Sequence, residues 1–238
     1  MNRNIKNKSF DFIKNNFKEN LILALILLVF TFLSIGVSSL QNFSSTETQS
    51  YIASLLSVIS FITSLLSTSL TWSYFKINNN KEKLENSVTQ SILPVKYYWK
   101  LILLNLLLGI LVWVIAFVSI LLIVLFIVSG GTGVLLSVLL IFALLFVGIY
   151  VSIRLSQADL LMLKDLYQDN QDGYWSYYKK SWNMMKGHTG EYFGLMFSLI
   201  GWYLLIMVTL GIANIFVVPY ISNIKGNYFR YILESVDE

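Results

Sequence analysis

The sequence predicts an all-α, polytopic integral membrane helix bundle: six transmembrane helices, with an interfacial amphipathic helix between the fourth and fifth. Three observations predict it. Of 238 residues, 56% are hydrophobic and only 13% charged, about half the charged share with which a soluble domain covers its surface. Mean hydropathy is +0.67, so lipid must be part of the solvent. Finally, all 17 Lys and Arg residues fall on one side of a six-crossing topology, and the positive-inside bias makes that side cytoplasmic.

The crossings follow from length. A helix needs about 20 apolar residues to traverse a hydrocarbon core of about 30 Å. Residues 21–40, 51–75, 101–128 and 134–153 qualify, the second although it is rich in Ser. The apolar run 192–224 is too long for one crossing, because a single helix there would reach roughly 50 Å. A hairpin broken near Thr209-Leu210-Gly211 is expected instead, with arms at 192–208 and 212–231. Pro219 falls inside the sixth crossing, where it removes a backbone bond and is expected to kink the helix. The domain reading is therefore a cytoplasmic N-terminal segment, 1–20, and one transmembrane domain, 21–238, in which 154–191 is cytoplasmic or interfacial. The charged lead is long for the n-region of a cleaved signal, and no small-x-small site follows residue 40, so a retained first crossing is expected.

The charges are grouped. Arg3, Lys6, Lys8, Lys14 and Lys18 precede the first crossing. Lys76, Lys81, Lys83, Lys96 and Lys100 join the second to the third. Arg154, Lys164, Lys179, Lys180 and Lys186 join the fourth to the fifth, and Lys225 and Arg230 follow Pro219. Both termini are then cytoplasmic; the alternative of five crossings would put Lys225 and Arg230 outside. A pI of about 9.1 in such a protein reflects loops facing anionic lipid rather than nucleic acid. The richness in Asn, Lys and Ile looks like a low-GC bacterial genome, so the membrane expected is a bacterial cytoplasmic one.

Candidate chemistry is sparse. No Cys is present, which excludes disulfides and thiolate metal sites. His188 stands alone, without the spaced partners a metal needs. No nucleotide loop, metalloprotease helix or nucleophile triad is suggested, and Asp169 and Asp172 read as a solvated turn. The expectation is a non-enzyme with no cofactor and no metal. Ser54, Ser57, Ser60, Ser64 and Ser67 share one helix face, which reads as close helix packing, or else as the lining of a solute path. Gly190 and Gly194 read as another tight contact. Intramembrane charge, the usual sign of ion coupling, is missing from the crossings; Asn105 is the one strongly polar group well inside the third. The richest segment is Tyr174, Trp175, Tyr177, Tyr178 and Trp182 interleaved with Lys179, Lys180 and Lys186. Its aromatic rings suit headgroup depth and its lysines suit phosphates. Tyr174, Trp175, Tyr178, Lys179, Lys180, Trp182 and Lys186 are the candidate interface, with the bilayer, another membrane protein or an anionic lipid as partner.

The second half also carries ordered motifs. Gly148-Ile149-Tyr150-Val151-Ser152-Ile153-Arg154-Leu155-Ser156-Gln157-Ala158 leads to Asp165, then Ser181 and Met185-Lys186-Gly187. Phe193, Phe197-Ser198-Leu199-Ile200-Gly201-Trp202, Thr209-Leu210-Gly211-Ile212 and Pro219-Tyr220 follow. Over about the last 90 residues this resembles the bacterial multi-pass membrane family catalogued as domain of unknown function 975. The N-terminal Ile5-Lys6 and its leucine-rich sequel fit more loosely. Two departures stand out: Gly130-Gly131-Thr132-Gly133 lacks the family's proline before the fourth crossing, and the expected Phe-Tyr reads Tyr228-Phe229. The resemblance implies Ser181, Gly187, Ser198, Gly201, Trp202, Gly211, Pro219 and Tyr220 as structural motif positions, and no catalytic residues. Expected functions are, first, binding of a membrane partner or lipid, one form being protection against a membrane-active peptide. The second is a transport component with its path between the Ser-rich second crossing and the Pro-bearing sixth. A lipid-acting enzyme comes third.

Overall fold

The structure, a computed structural model, describes residues 2–40, 45–80, 93–128 and 132–237. Lys81 and Lys83 of the basic groups, and residues 41–44 and 129–131 of the predicted outer loops, lie outside them. The elements among the described residues are all helices, without strands: α1 Asn2–Asn15, α2 Phe17–Leu40, α3 Thr46–Asn80, α4 Val95–Val128, α5 Thr132–Leu155, α6 Ala158–Tyr167, α7 Tyr174–Met184, α8 Thr189–Phe197, α9 Ile200–Val208 and α10 Asn214–Asp237. Four stretches among them are long and apolar enough to cross a membrane: Thr48–Ile77, Lys96–Leu125, Leu135–Tyr167 and Thr189–Val208. The predicted crossings at 21–40 and 212–231 fall in α2 and α10, which are not among these four; α2 holds a shorter apolar stretch, Leu28–Leu40.

The chain forms two compact units. The first comprises residues 1–94 and 193–238, the second residues 95–192. In the first, α10 packs against α1, α2 and α3 and buries Val217, Tyr220, Ile221, Ile224, Tyr228, Phe229 and Ile232. Its polar residues are shielded the same way. Asn227 Nδ2 donates to Ser9 Oγ at 3.0 Å and to Asn223 Oδ1 at 2.7 Å. The segment expected as a charged lead is thus largely a helix, α1, which turns Ile5, Ser9 and Ile13 inward at a spacing of four. Tyr74, fully buried on α3, donates to Asn20 Oδ1.

The hairpin turn lies at Thr209–Ala213. Gly211 has φ +91°, a conformation open to glycine because no Cβ meets the backbone there. Its N–H donates to Ile206 O at 2.8 Å, satisfying an end carbonyl of α9. A Cβ on Gly211 would also lie 3.1 Å from Thr31 Cγ2 of α2. Helix α10 runs on through Pro219.

Two packing expectations are corrected. The hydroxyl face of α3 is mostly unpacked: Ser54, Ser57, Ser60 and Ser64 are exposed and Ser67 is half-buried, and Ser54 and Ser57 return hydrogen bonds to carbonyls four residues back. The tight contact lies further along α3, where Ser69, Thr71 and Ser73 are buried and Gly226 of α10 comes so near that a Cβ on it would stand 3.0 Å from Phe75 N and 3.1 Å from Thr71 O. Small residues were the right signal, but lipid-facing and protein-facing sides of a membrane helix are both apolar, so the sequence does not say which small residues are used. Nor do Gly190 and Gly194 make a close contact. Nothing lies within 4 Å of a Cβ at Gly190, and Gly194 meets only Asn2 Nδ2 at 3.9 Å.

Candidate functional site

The second unit builds its site from a broken helix. Helix α5 ends at Leu155 and α6 begins at Ala158, leaving Ser156 and Gln157 between them. Ser181, fully buried on α7, bridges the break. Its hydroxyl donates to Arg154 O at 2.8 Å and accepts from Gln157 N–H at 3.3 Å. Removing it leaves two backbone groups unsatisfied, each costing roughly 1–3 kcal/mol when buried. Ser181→Ala is therefore expected to lower stability by about 2–6 kcal/mol, read as an earlier midpoint in SDS-titrated unfolding. An unchanged midpoint would remove this serine's role as the bridge.

Arg154 completes the junction. It is 8% exposed. Its Nε and Nη2 donate to Tyr150 Oη at 3.0 and 2.8 Å, and Nη1 donates to Trp182 O at 2.8 Å. The guanidinium lies over both rings, 5.2 Å from Tyr150 and 4.9 Å from Trp182, where ring quadrupoles attract a cation. No carboxylate pairs with it among the described residues.

Helix α7 is amphipathic. Tyr177, Tyr178, Ser181 and Met184 point inward, while Trp175, Lys179, Lys180 and Trp182 stay exposed. The candidate interface residues divide accordingly. Lys180 is held in two ion pairs, with Asp172 at 2.6 Å and Asp165 at 2.8 Å, and so is committed to the chain. Tyr174 is half-buried and Lys186 exposed. Trp175, Tyr178, Lys179 and Trp182 converge on a cavity of about 290 Å³ with Leu107, Leu108, Val151 and Leu155. A larger cavity of about 710 Å³ adjoins it and shares Leu108, Val151, Leu155 and Tyr178. Its walls are Val112, Ile115, Ala116, Ile120, Leu144, Leu145, Val147 and Gly148, and Asn105, Asp159 and Ser156 also line it.

Asn105 and Asp159 meet here: Asn105 Nδ2 donates to Leu101 O at 2.9 Å and to Asp159 Oδ1 at 3.3 Å. Tyr178 donates to Leu104 O. Burial first, and the Asp159 charge second, push its phenol up to about 12, so it stays a neutral donor. The role of Asp159 lay hidden in the sequence, where it reads as one charge among helix-face leucines. Its partner Asn105 was the visible signal.

The Lys180 pairs make a pH prediction. Hydrogen bonding to Lys180, then its charge, hold the Asp172 carboxyl below its ordinary range. The hydrogen bonds that Lys180 donates to Asp165 and Asp172 lead the causes that raise it. A lowered carboxylate contributes stability above about pH 3.9, lost as pH falls through its folded value; a raised lysine contributes below about pH 10.4, lost as pH rises through its own. The protection of α7 amides, corrected for the intrinsic pH dependence of exchange, should be flat between those limits and fall beyond both. A Lys180→Gln variant with the same acid response would sink this.

Most of the remaining motif positions lie in the first unit. Ser198 sits at the break between α8 and α9, donating to Leu195 O at 2.6 Å and accepting from Lys6 Nζ at 3.3 Å. Trp202 and Tyr220 have ring centroids 5.2 Å apart. With Lys6, Asn7, Phe10 and Asp11 they line a cavity of about 400 Å³. Pro219 is buried, and Gly201 is exposed. In the second unit Gly187, at φ +92°, forms the turn after α7.

No curated protein and no solved structure matches the chain. The sequence profile of a family described as "Protein of unknown function (DUF975)" matches residues 1–235, reaching well beyond the motif-rich second half to take in α1, α2 and α3. With that profile spanning nearly every described helix, the chain belongs to the DUF975 family.

Proposed function

We propose that the protein is a non-enzymatic integral protein of the bacterial cytoplasmic membrane that holds a membrane lipid in the cleft lined by α4, α5, α6 and α7. In this reading it crosses the bilayer six times with both termini inside, α2 and α10 adding two crossings to the four long apolar stretches. The one-sided distribution of Lys and Arg supports that count.

The observation that carries the reading is the pair of adjoining cavities. Ligand sites are concave, largely apolar and tipped with a few polar groups. Here apolar walls suit acyl chains, while Trp175, Lys179 and Trp182 stand where a headgroup would lie. A solute path beside α3 and α10 has less support, because at Gly226 their backbones approach too closely to admit a methyl group without displacement.

The test fills the cleft. Gly148 lines it, and a Cβ there meets nothing within 4 Å; Ala116 lines it too. The parent protein, purified in mild detergent, is expected to retain phospholipid through native mass spectrometry. The combined Gly148→Phe and Ala116→Phe variant is expected to lose it while keeping its gel-filtration profile. Equal retention by both proteins would overturn the reading.

A further inference from the structure

We infer that the cleft selects an aminophospholipid, a lipid whose head carries a phosphate and a primary ammonium, with Asp159 receiving the ammonium and Lys179 the phosphate. The inference rests on the lipid-binding reading above and gives its ligand a chemistry.

The charges of the two cavities carry it. Asp159 is half-buried among apolar walls, and among the described residues it accepts from one amide, Asn105 Nδ2 at 3.3 Å, which is shared with Leu101 O. No cation lies within ion-pair distance of it among the described residues. A carboxylate withdrawn from water is costly unless a cation with N–H donors meets it. Lys179, on the adjoining cavity, also lacks an ion-pair partner among the described residues. Lys180, one position on, is already neutralised by Asp165 and Asp172. The combined cleft therefore presents one positive and one negative group around shared apolar residues and Tyr178, the complement of a zwitterion.

Each competing headgroup leaves something unmet. An anionic phosphatidylglycerol satisfies Lys179 but brings no cation to Asp159. A phosphatidylcholine brings a quaternary ammonium that has no N–H to donate. A primary ammonium supplies charge-assisted hydrogen bonds, roughly twice as strong as neutral ones.

The experiment is a competition on the full chain in mild detergent, read by native mass spectrometry. Phosphatidylethanolamine, phosphatidylcholine and phosphatidylglycerol with identical acyl chains are offered at equal concentration. The parent is expected to favour phosphatidylethanolamine by about tenfold over each of the others. Asp159→Asn keeps the side chain's shape and is expected to bring the ethanolamine-to-choline ratio near one while lipid still binds. Lys179→Gln, at an exposed position that does not burden folding, is expected to weaken all three lipids alike. If the parent binds the three equally or prefers phosphatidylglycerol, or if Asp159→Asn retains the preference, the aminophospholipid assignment falls and lipid binding stands. If the parent holds no lipid, both fall.

Discussion

Replacing Gly226 with leucine is expected to abolish the first unit, and even Gly226→Ala should cost about 1–3 kcal/mol, the usual range for overpacking. An alanine Cβ would stand 3.0 Å from Phe75 N, 3.1 Å from Thr71 O and 3.4 Å from Phe75 Cα. These are backbone atoms of α3, so no rotamer change relieves the contact and the two helices must part. Parting them also breaks the edge contact of Phe75 with Phe229, whose ring centroids lie 5.0 Å apart, and exposes surface that α3 and α10 hide from each other. Gly201→Ala is the control. Nothing lies within 4 Å of its Cβ, and the position is exposed within a helix, so alanine should be neutral or gain up to about 1 kcal/mol of helix propensity. The measurement is the SDS-unfolding midpoint with fluorescence-detected gel filtration. A Gly226→Leu protein as monodisperse and as resistant as the parent would mean that α3 and α10 do not meet in this way.

The second large effect is expected at Arg154. Arg154→Leu removes the guanidinium from between Tyr150 and Trp182 and takes away three hydrogen bonds, one of them to the backbone of α7. A desolvated cation–π contact contributes about 2 kcal/mol and a hydrogen bond to a charged group about 1.5–3 kcal/mol. The terms share partners and do not add, so a loss of about 3–5 kcal/mol is expected. Arg154→Lys should recover little of it. A lysine keeps the charge but not the planar fork that reaches one hydroxyl with two nitrogens while stacking on rings. The same unfolding assay on both variants decides; a lysine variant equal to the parent would show that charge alone is required.

The parts of this architecture legible in the sequence are those that depend on length. Residues 101–128 and 134–153 are apolar enough to demand helices, and α4 and α5 contain them. The turn at Thr209–Ala213 follows from a run too long for one crossing, and Gly211 supplies its backbone. What the sequence hid depends on which face of a helix is used. Ser54–Ser67 marks a small-residue face, yet the buried small residues are Ser69 and Ser73, one turn beyond it. Helix α1 escaped notice because its inward residues, Ile5, Ser9 and Ile13, sit among lysines and asparagines. At the candidate site, the aromatic-basic character of α7 was evident. The split between Lys179, without an ion pair among the described residues, and Lys180, tied to Asp165 and Asp172, was not, because it depends on side chains that are 15 and 8 positions distant in sequence.

The Ser9–Asn227 hydrogen bond joins residues 218 positions apart, and that separation orders events during synthesis. Helices α1, α2 and α3 leave the ribosome with the α10 side of their packing surfaces unfilled, and α10 is the latest helix of their unit to be made. The second unit, continuous from 95 to 192, is complete while α10 is still within the ribosome or insertion machinery. At about 5–20 residues per second, α1, α2 and α3 wait several seconds with α10 absent, a window in which membrane chaperones have access to surfaces the finished protein never shows. A ribosome-stalled chain ending before α10 should therefore leave α3 open to cysteine-crosslinking probes placed at Thr71, and release of the full chain should close it. Equal labelling of the two would mean that the first unit assembles without its final helix.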